Sequence, residues 1–185
     1  MEKRGQSMNT RRITLILIFL ILVNCVKGKT KENDPTEEAL AYLRTLLPQH
    51  GQLTKEKMGE IEGIGFEDTA ITDETLKNIL VLRNVSALSL TKTRITEVGL
   101  ESIKENKIDH LDIDSTLITN KAIKVLRDWK HLKILNISYT NIDDGAVEDL
   151  LKLNVDLRAA GTKLSEKAIE RLRKKMPVET EDYEL

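Results

Sequence analysis

Cysteine is nearly missing from this chain, with one residue, Cys25, among 185. A single thiol excludes an internal disulfide framework and a zinc site built on several cysteines. Aromatic residues are also scarce, at 3%. A core must therefore be aliphatic, and no aromatic platform exists on which single-stranded nucleic acid could stack. Charge of one sign is missing too: Lys and Arg number 29 against 30 Asp and Glu, for a formal net charge of −1. With no basic surplus to release phosphate counterions, the chain is not expected to bind nucleic acid through bulk charge. No Gly-rich phosphate loop, His-Glu-x-x-His or Gly-x-Ser-x-Gly motif occurs. The expectation is a protein that is not an enzyme and carries no cofactor or metal. What is present is 40% hydrophobic residues, enough to build a core in a domain of ordinary size.

The N-terminus reads as an export signal. Lys3, Arg4, Arg11 and Arg12 precede an apolar run from Ile13 to Val23. A basic segment followed by about 7–15 apolar residues has the form of a signal peptide. The run is shorter than the roughly 20 residues a membrane-spanning helix needs. It ends at Leu22-Val23-Asn24-Cys25. This segment resembles the lipobox of bacterial lipoprotein precursors, in which Leu-x-x-Cys closes the signal peptide and the cysteine becomes the acylated first residue. Asn24 departs from the usual small residue before the cysteine and is similar to the relaxed lipoboxes of spirochaetes. The resemblance implies cleavage after residue 24, fatty acids such as palmitate on Cys25, and a protein lipid-anchored to a membrane in the bacterial cell envelope. The alternative is an uncleaved anchor in which Cys25 is incidental. Losing residues 1–24 removes four basic residues and one acidic residue, which takes the formal charge from −1 to −4. Residues 25–38 are polar and without apolar periodicity, as a flexible tether would be.

A repeat dominates the remainder. Five segments align on Thr69, Thr93, Thr116, Thr140 and Thr162, in steps of 24, 23, 24 and 22 residues. Five and three residues before each Thr stand Ile64/Phe66, Leu88/Leu90, Leu111/Ile113, Leu135/Ile137 and Leu157/Ala159. That alternation predicts a short strand with one buried face. Three residues after each Thr come Thr72, Thr96, Thr119, Asp143 and Ser165, all good helix N-caps. The residue before each cap (Ile71, Ile95, Ile118, Ile142 or Leu164) and the fourth after it (Leu76, Leu100, Ile123, Val147 or Ile169) are apolar. Such a pair forms the staple that sets how a chain enters a helix.

The units resemble the leucine-rich repeat family, in its bacterial form with Thr-x-Ile-Thr after the strand. The second unit carries the match best, through Leu88, Leu90, Thr93, Ile95, Thr96, Gly99 and Leu100. The resemblance implies an α/β leucine-rich repeat solenoid, with short parallel strands on the concave face and helices on the convex face. Many members carry Asn where this chain has the aligned Thr. The five Thr hydroxyls are expected to form a structural ladder to backbone groups of the neighbouring turn.

The predicted organisation is a signal peptide over 1–24, a lipidated tether over 25–38, an N-terminal helical cap over 39–60, five repeats over 61–176 and an acidic, loose tail over 177–185. Within the cap, a helix capped by Thr36 is expected to stop at Pro48. On the concave face, solvent-pointing residues alternate with buried ones. His110, Asp112 and Asp114 share one strand at a spacing of two, and Asn136 and Arg158 follow on the next two strands. These five are the candidate partner-binding residues. A metal is the lesser alternative for the first three, because adjacent strands offer no further close carboxylate. His50, His131 and Trp129 read as surface or packing residues, and Tyr139 as a residue of the concave rim. The expected function is a monomeric, membrane-anchored module that binds a protein partner. The alternative is an adaptor that packs against an envelope protein through its convex helices.

Overall fold

The computed structural model describes residues 34–48 and 53–181. The expected signal peptide, Cys25, most of the tether and His50 lie outside the described residues. Among those described, no helix is long and apolar enough to cross a membrane.

Six parallel strands lie in sequence order: β1 (Gly63–Gly65), β2 (Ala87–Ser89), β3 (His110–Asp112), β4 (Ile134–Asn136), β5 (Asp156–Arg158) and β6 (Val178–Glu179). Helix α1 (Pro35–Leu46) precedes them. Helices α2 (Asp73–Leu76), α3 (Glu97–Ser102), α4 (Asn120–Leu126), α5 (Val147–Leu150) and α6 (Glu166–Arg173) follow the first five strands in turn. A 3-10 turn over Lys77–Val81 extends α2, and another over Asp144–Ala146 leads into α5. This is the α/β solenoid that the resemblance to leucine-rich repeats implies.

Each layer of the core repeats the same aliphatic set. The strand residues Leu88/Leu90, Leu111/Ile113 and Leu135/Ile137 are buried, as are the staple residues Ile95/Leu100, Ile118/Ile123 and Ile142/Val147. Burying one such side chain contributes about 1.5–3 kcal/mol. No repeat encloses its own apolar face, so this burial exists only between neighbours.

The backbone couples those neighbours. Phe66, Leu90, Ile113, Ile137 and Ala159 each donate an N–H to the carbonyl of Ser89, Asp112, Asn136, Arg158 and Glu179 respectively, at 2.8–3.0 Å. Two residues further on, the chain enters the left-handed region at Asp68, Lys92, Ser115, Tyr139 and Gly161, with φ between 55° and 60°. In the four that have a following repeat, the turned N–H donates to Thr91, Asp114, Ser138 or Ala160 of that repeat. Only Gly161 adopts this conformation without steric cost.

The aligned threonines behave differently from the expected ladder. Their hydroxyls donate to carbonyls of their own repeats, three residues back: Thr69 to Phe66, Thr93 to Leu90, Thr116 to Ile113, Thr140 to Ile137 and Thr162 to Ala159, at 2.5–2.9 Å. The left-handed residue folds each Thr back over the strand it has just left, so the hydroxyl locks the turn. Three side-chain links between repeats lie at the helix N-termini. The Asp73 carboxylate accepts from the Thr96 N–H (2.9 Å) and hydroxyl (2.6 Å). Asn120 accepts from the Asp143 N–H (3.0 Å) and donates to its carboxylate (2.6 Å). Asp144 accepts from the Ser165 N–H and hydroxyl, both at 2.7 Å. The equivalent residue of the second repeat is Glu97, one methylene longer, which reaches Lys121 at 3.8 Å.

Both ends are covered. At the N-terminal end, α1 starts at Pro35, so Thr36 lies inside the helix and the expected tether is already helical from residue 35. Proline fits the first helical position because its fixed φ suits the helix and its missing N–H would have no helical partner there. Leu40 and Leu43 are fully buried, and the Tyr42 hydroxyl donates to Thr75 at 2.7 Å. At the other end, part of the expected loose tail is ordered. Val178 pairs with Leu157 and Glu179 with Arg158 as β6, and Pro177 and Glu179 supply carbonyls to the Leu157 and Ala159 N–H groups. Without β6 these two donors, in and just after β5, would lose these acceptors.

Two predictions follow from the N-terminal links. Asp73→Ala should lower the unfolding free energy by about 1–2 kcal/mol. Glu97→Asp, which restores the length that the other links share, should raise it by about 0.5–1 kcal/mol. Denaturant midpoints at unchanged slope measure both. A third prediction concerns pH. The Asn120 amide and then the Gly145 N–H hold the Asp143 carboxyl below the usual carboxylate range, and the Ser165 N–H and hydroxyl do the same for Asp144. A depressed folded pKa contributes stability above the ordinary unfolded value of about 3.9, and that stability is lost as pH falls through the folded value. The denaturation midpoint should therefore fall below about pH 4. Asp144→Asn keeps an acceptor for Ser165 without titrating and should flatten that fall. An acid limb identical to the parent's would contradict the assignment.

Candidate functional site

Strand register sets the concave surface. One row runs Gly63, Ala87, His110, Ile134 and Asp156, and the next runs Gly65, Ser89, Asp112, Asn136, Arg158 and Glu179. The small residues of β1 and β2 leave a shallow recess of about 140 Å³ beside the larger polar residues of β3. Glu67, His110 and Asp112 line it together with Gly65, Ala87 and Ser89.

The five expected site residues divide into two kinds. His110 and Asp112 retain unused hydrogen-bonding capacity. Their closest approach is 3.4 Å, from His110 Nε2 to Asp112 Oδ2, and both side chains are partly exposed. His110 Nε2 and Asp112 Oδ1 are screened from solvent but make no hydrogen bond. Polar atoms in that condition cost free energy until a partner arrives. Asp114, Asn136 and Arg158 are already engaged. Asp114 accepts from Thr91 (2.6 Å) and Ser115 (3.2 Å), and Asn136 Oδ1 accepts the Ser138 N–H at 3.1 Å. Arg158 Nε lies 3.4 Å from Glu179 Oε2. The structure therefore places all five on one face, with His110 and Asp112 as its unsatisfied pair. Among the described residues no group of three or more His, Cys, Asp or Glu could hold a metal ion.

Two contributors escape sequence reasoning. Glu179 joins the second row because β6 continues the register, 21 residues beyond Arg158. The recess itself comes from Gly65, Ala87 and Ser89, whose meaning is the space they leave. Tyr139 stands on the rim as expected, half exposed, with its ring against Gly161 where a Cβ would otherwise sit. Carboxylates dominate the face: Glu67, Asp112, Asp114, Asp156 and Glu179 stand against the single guanidinium of Arg158. Trp129 is buried and His131 exposed, both in the turn between α4 and β4. That turn borders a larger recess of about 470 Å³, away from the concave strands.

No family model matches the chain, and no curated protein matches it. Solved structures do. An internalin (inlF) from Listeria monocytogenes str. 4b F2365 is similar at a TM-score of 0.51 and 18% identity, covering 84% of this chain. The match covers 56% of that internalin, so the chain spans about half its length. An internalin C2 (inlC2) from the same organism is similar at 0.48 and 18% identity, over 78% of this chain and 74% of that one. The actin-binding site 2 of leiomodin-1 is similar at 0.49 and 18% identity, over 65% of this chain and 86% of that one. The first of these likenesses shows the fold alone, and that fold is the leucine-rich repeat.

Proposed function

We propose that this chain is a membrane-anchored leucine-rich repeat lipoprotein of the bacterial envelope, acting as a binding module for a protein partner. The observation that carries the binding reading is the unsatisfied His110–Asp112 pair beside an open recess, on a face whose other polar groups are held in place. Rigid, pre-positioned donors and acceptors lose little entropy when a partner docks. The carboxylates around the recess favour a partner that presents Lys or Arg there. The anchor reading is supported by the apolar run and by Leu22-Val23-Asn24-Cys25. Acylation of Cys25 with more than one chain would hold the protein on a membrane firmly. The binding reading is preferred to a catalytic one because the sequence carries no catalytic motif.

Two measurements test these readings separately. A photo-crosslinker in place of Ser89 in intact cells should capture a partner, and the same group at Lys124 on the convex side should not. The capture should be lost when Asp112→Arg and Arg158→Glu are combined, with the melting temperature retained. Unchanged capture in that variant would move the site off the concave face. For the anchor, metabolic labelling with a fatty acid should mark the parent and leave Cys25→Ala unlabelled. Equal labelling of the two would contradict lipidation at Cys25.

A further inference from the structure

The recess of about 470 Å³ at the helix-to-strand turns has a structural origin and an unusual lining. The turn between α4 and β4 spans residues 127–133, and its neighbour between α5 and β5 spans only 151–155. Two residues are missing from the second turn, matching the drop in repeat length from 24 to 22. Stacked repeats cannot close over that shortfall, so a hollow opens between the two turns. Lys107, Arg127, Lys130, Lys133 and Lys152 line it, against one carboxylate, Asp109.

Existing ion pairs neutralise only part of this charge. Lys133 pairs with Asp109 at 3.0 Å. Arg127 and Lys152 share Asp149 at 3.1 and 2.8 Å, and Arg127 also lies 3.8 Å from Asp128. Lys107 and Lys130 have no ion-pair partner among the described residues. The wall also contains Trp129, the only tryptophan of the chain and only 7% exposed, whose indole N–H has no hydrogen-bond acceptor. A buried indole donor ordinarily finds an acceptor. Cations left without counter-charge and a donor without an acceptor both call for an anion.

We infer that this recess binds a phosphate-bearing small ligand, with Lys107 and Lys130 neutralising the phosphate. A phosphate suits the site better than one carboxylate would, because its charge and three acceptor oxygens can engage cations arriving from successive turns. The volume exceeds that of a phosphate ion and leaves room for a polar group of glycerol or sugar size. The chain's near-neutral net charge is no obstacle, since the cations are gathered at one edge. The ligand can be a soluble phosphate ester or the headgroup of an anionic phospholipid at the membrane surface, which share an uncompensated phosphate charge.

The lone tryptophan provides the readout. The full chain is reconstituted in phosphatidylcholine nanodiscs and titrated with glycerol 1-phosphate at constant ionic strength, with chloride as the control anion. A second sample replaces part of the lipid with phosphatidylglycerol and receives no soluble ligand. Trp129 emission should change saturably in the first arm if the ligand is soluble, or on the lipid exchange alone if it is a headgroup. In either arm Lys107→Ala combined with Lys130→Ala should weaken the response about tenfold. Lys77→Ala, on the convex side, should leave it intact. Both lysines of the test variant are exposed, so the fold is retained, and the single variant Lys130→Glu gives an independent check. No response in either arm, or one that the double variant leaves unchanged, would overturn the inference. Because no step involves the concave strands, its failure would leave the partner-binding reading untouched.

Discussion

Everything in this molecule depends on the fact that one repeat is too thin to enclose its own apolar face. A strand of three residues and a helix of four to eight bury their leucines and isoleucines only against the same residues one layer away. Each such side chain contributes about 1.5–3 kcal/mol when buried, whereas a typical hydrogen bond nets about 1 kcal/mol. The aliphatic layers therefore supply most of the stability. The polar groups determine the register at which the layers stack. Rungs from Phe66, Leu90, Ile113, Ile137 and Ala159 tie each strand to the next, and the left-handed residues add a second set.

That register is also what makes the concave face a defined surface. With parallel strands stepped without offset, a residue two places along any strand lies beside its counterparts in every other repeat. His110 and Asp112 are aimed by the burial of Leu111 between them, and the recess beside them exists because glycine, alanine and serine occupy the same rows in β1 and β2. The turn-side recess obeys the same logic in reverse. Where repeat length changes, the stacking rule fails locally, and a hollow lined by cations results. A net charge close to zero thus hides a concave face rich in carboxylates and an edge rich in lysines.

The legible part of the structure was the part written in repeated side-chain types. Strand pairs such as Leu88/Leu90, caps such as Thr96 and staples such as Ile95/Leu100 recur at one spacing, and the layers they predict are the layers observed. The left-handed positions were not legible, because Asp68, Lys92, Ser115 and Tyr139 share no side-chain chemistry and the requirement acts on their backbone. The direction of the threonine hydroxyls depended on that same turn, so they lock their own repeats rather than bridging to the next. Strand β6 has two residues, too few for a period to register. Of the site, the facing of His110, Asp112, Asp114, Asn136 and Arg158 was readable from alternation. Their differing hydrogen-bond states were not, since these depend on which partner each side chain meets, from Ser138 beside Asn136 to Thr91 and Glu179 in neighbouring layers.

The most direct test of coupling between repeats is amide hydrogen exchange on the full chain, resolved to single residues. If neighbouring layers hold the structure together, the rung amides of Leu90, Ile113 and Ile137 should exchange through one common opening, with protection free energies that agree within about 1 kcal/mol. Denaturant should shift all three by the same slope. If instead each rung exchanges with its own free energy and its own slope, the repeats open independently, and coupling between the layers is contradicted.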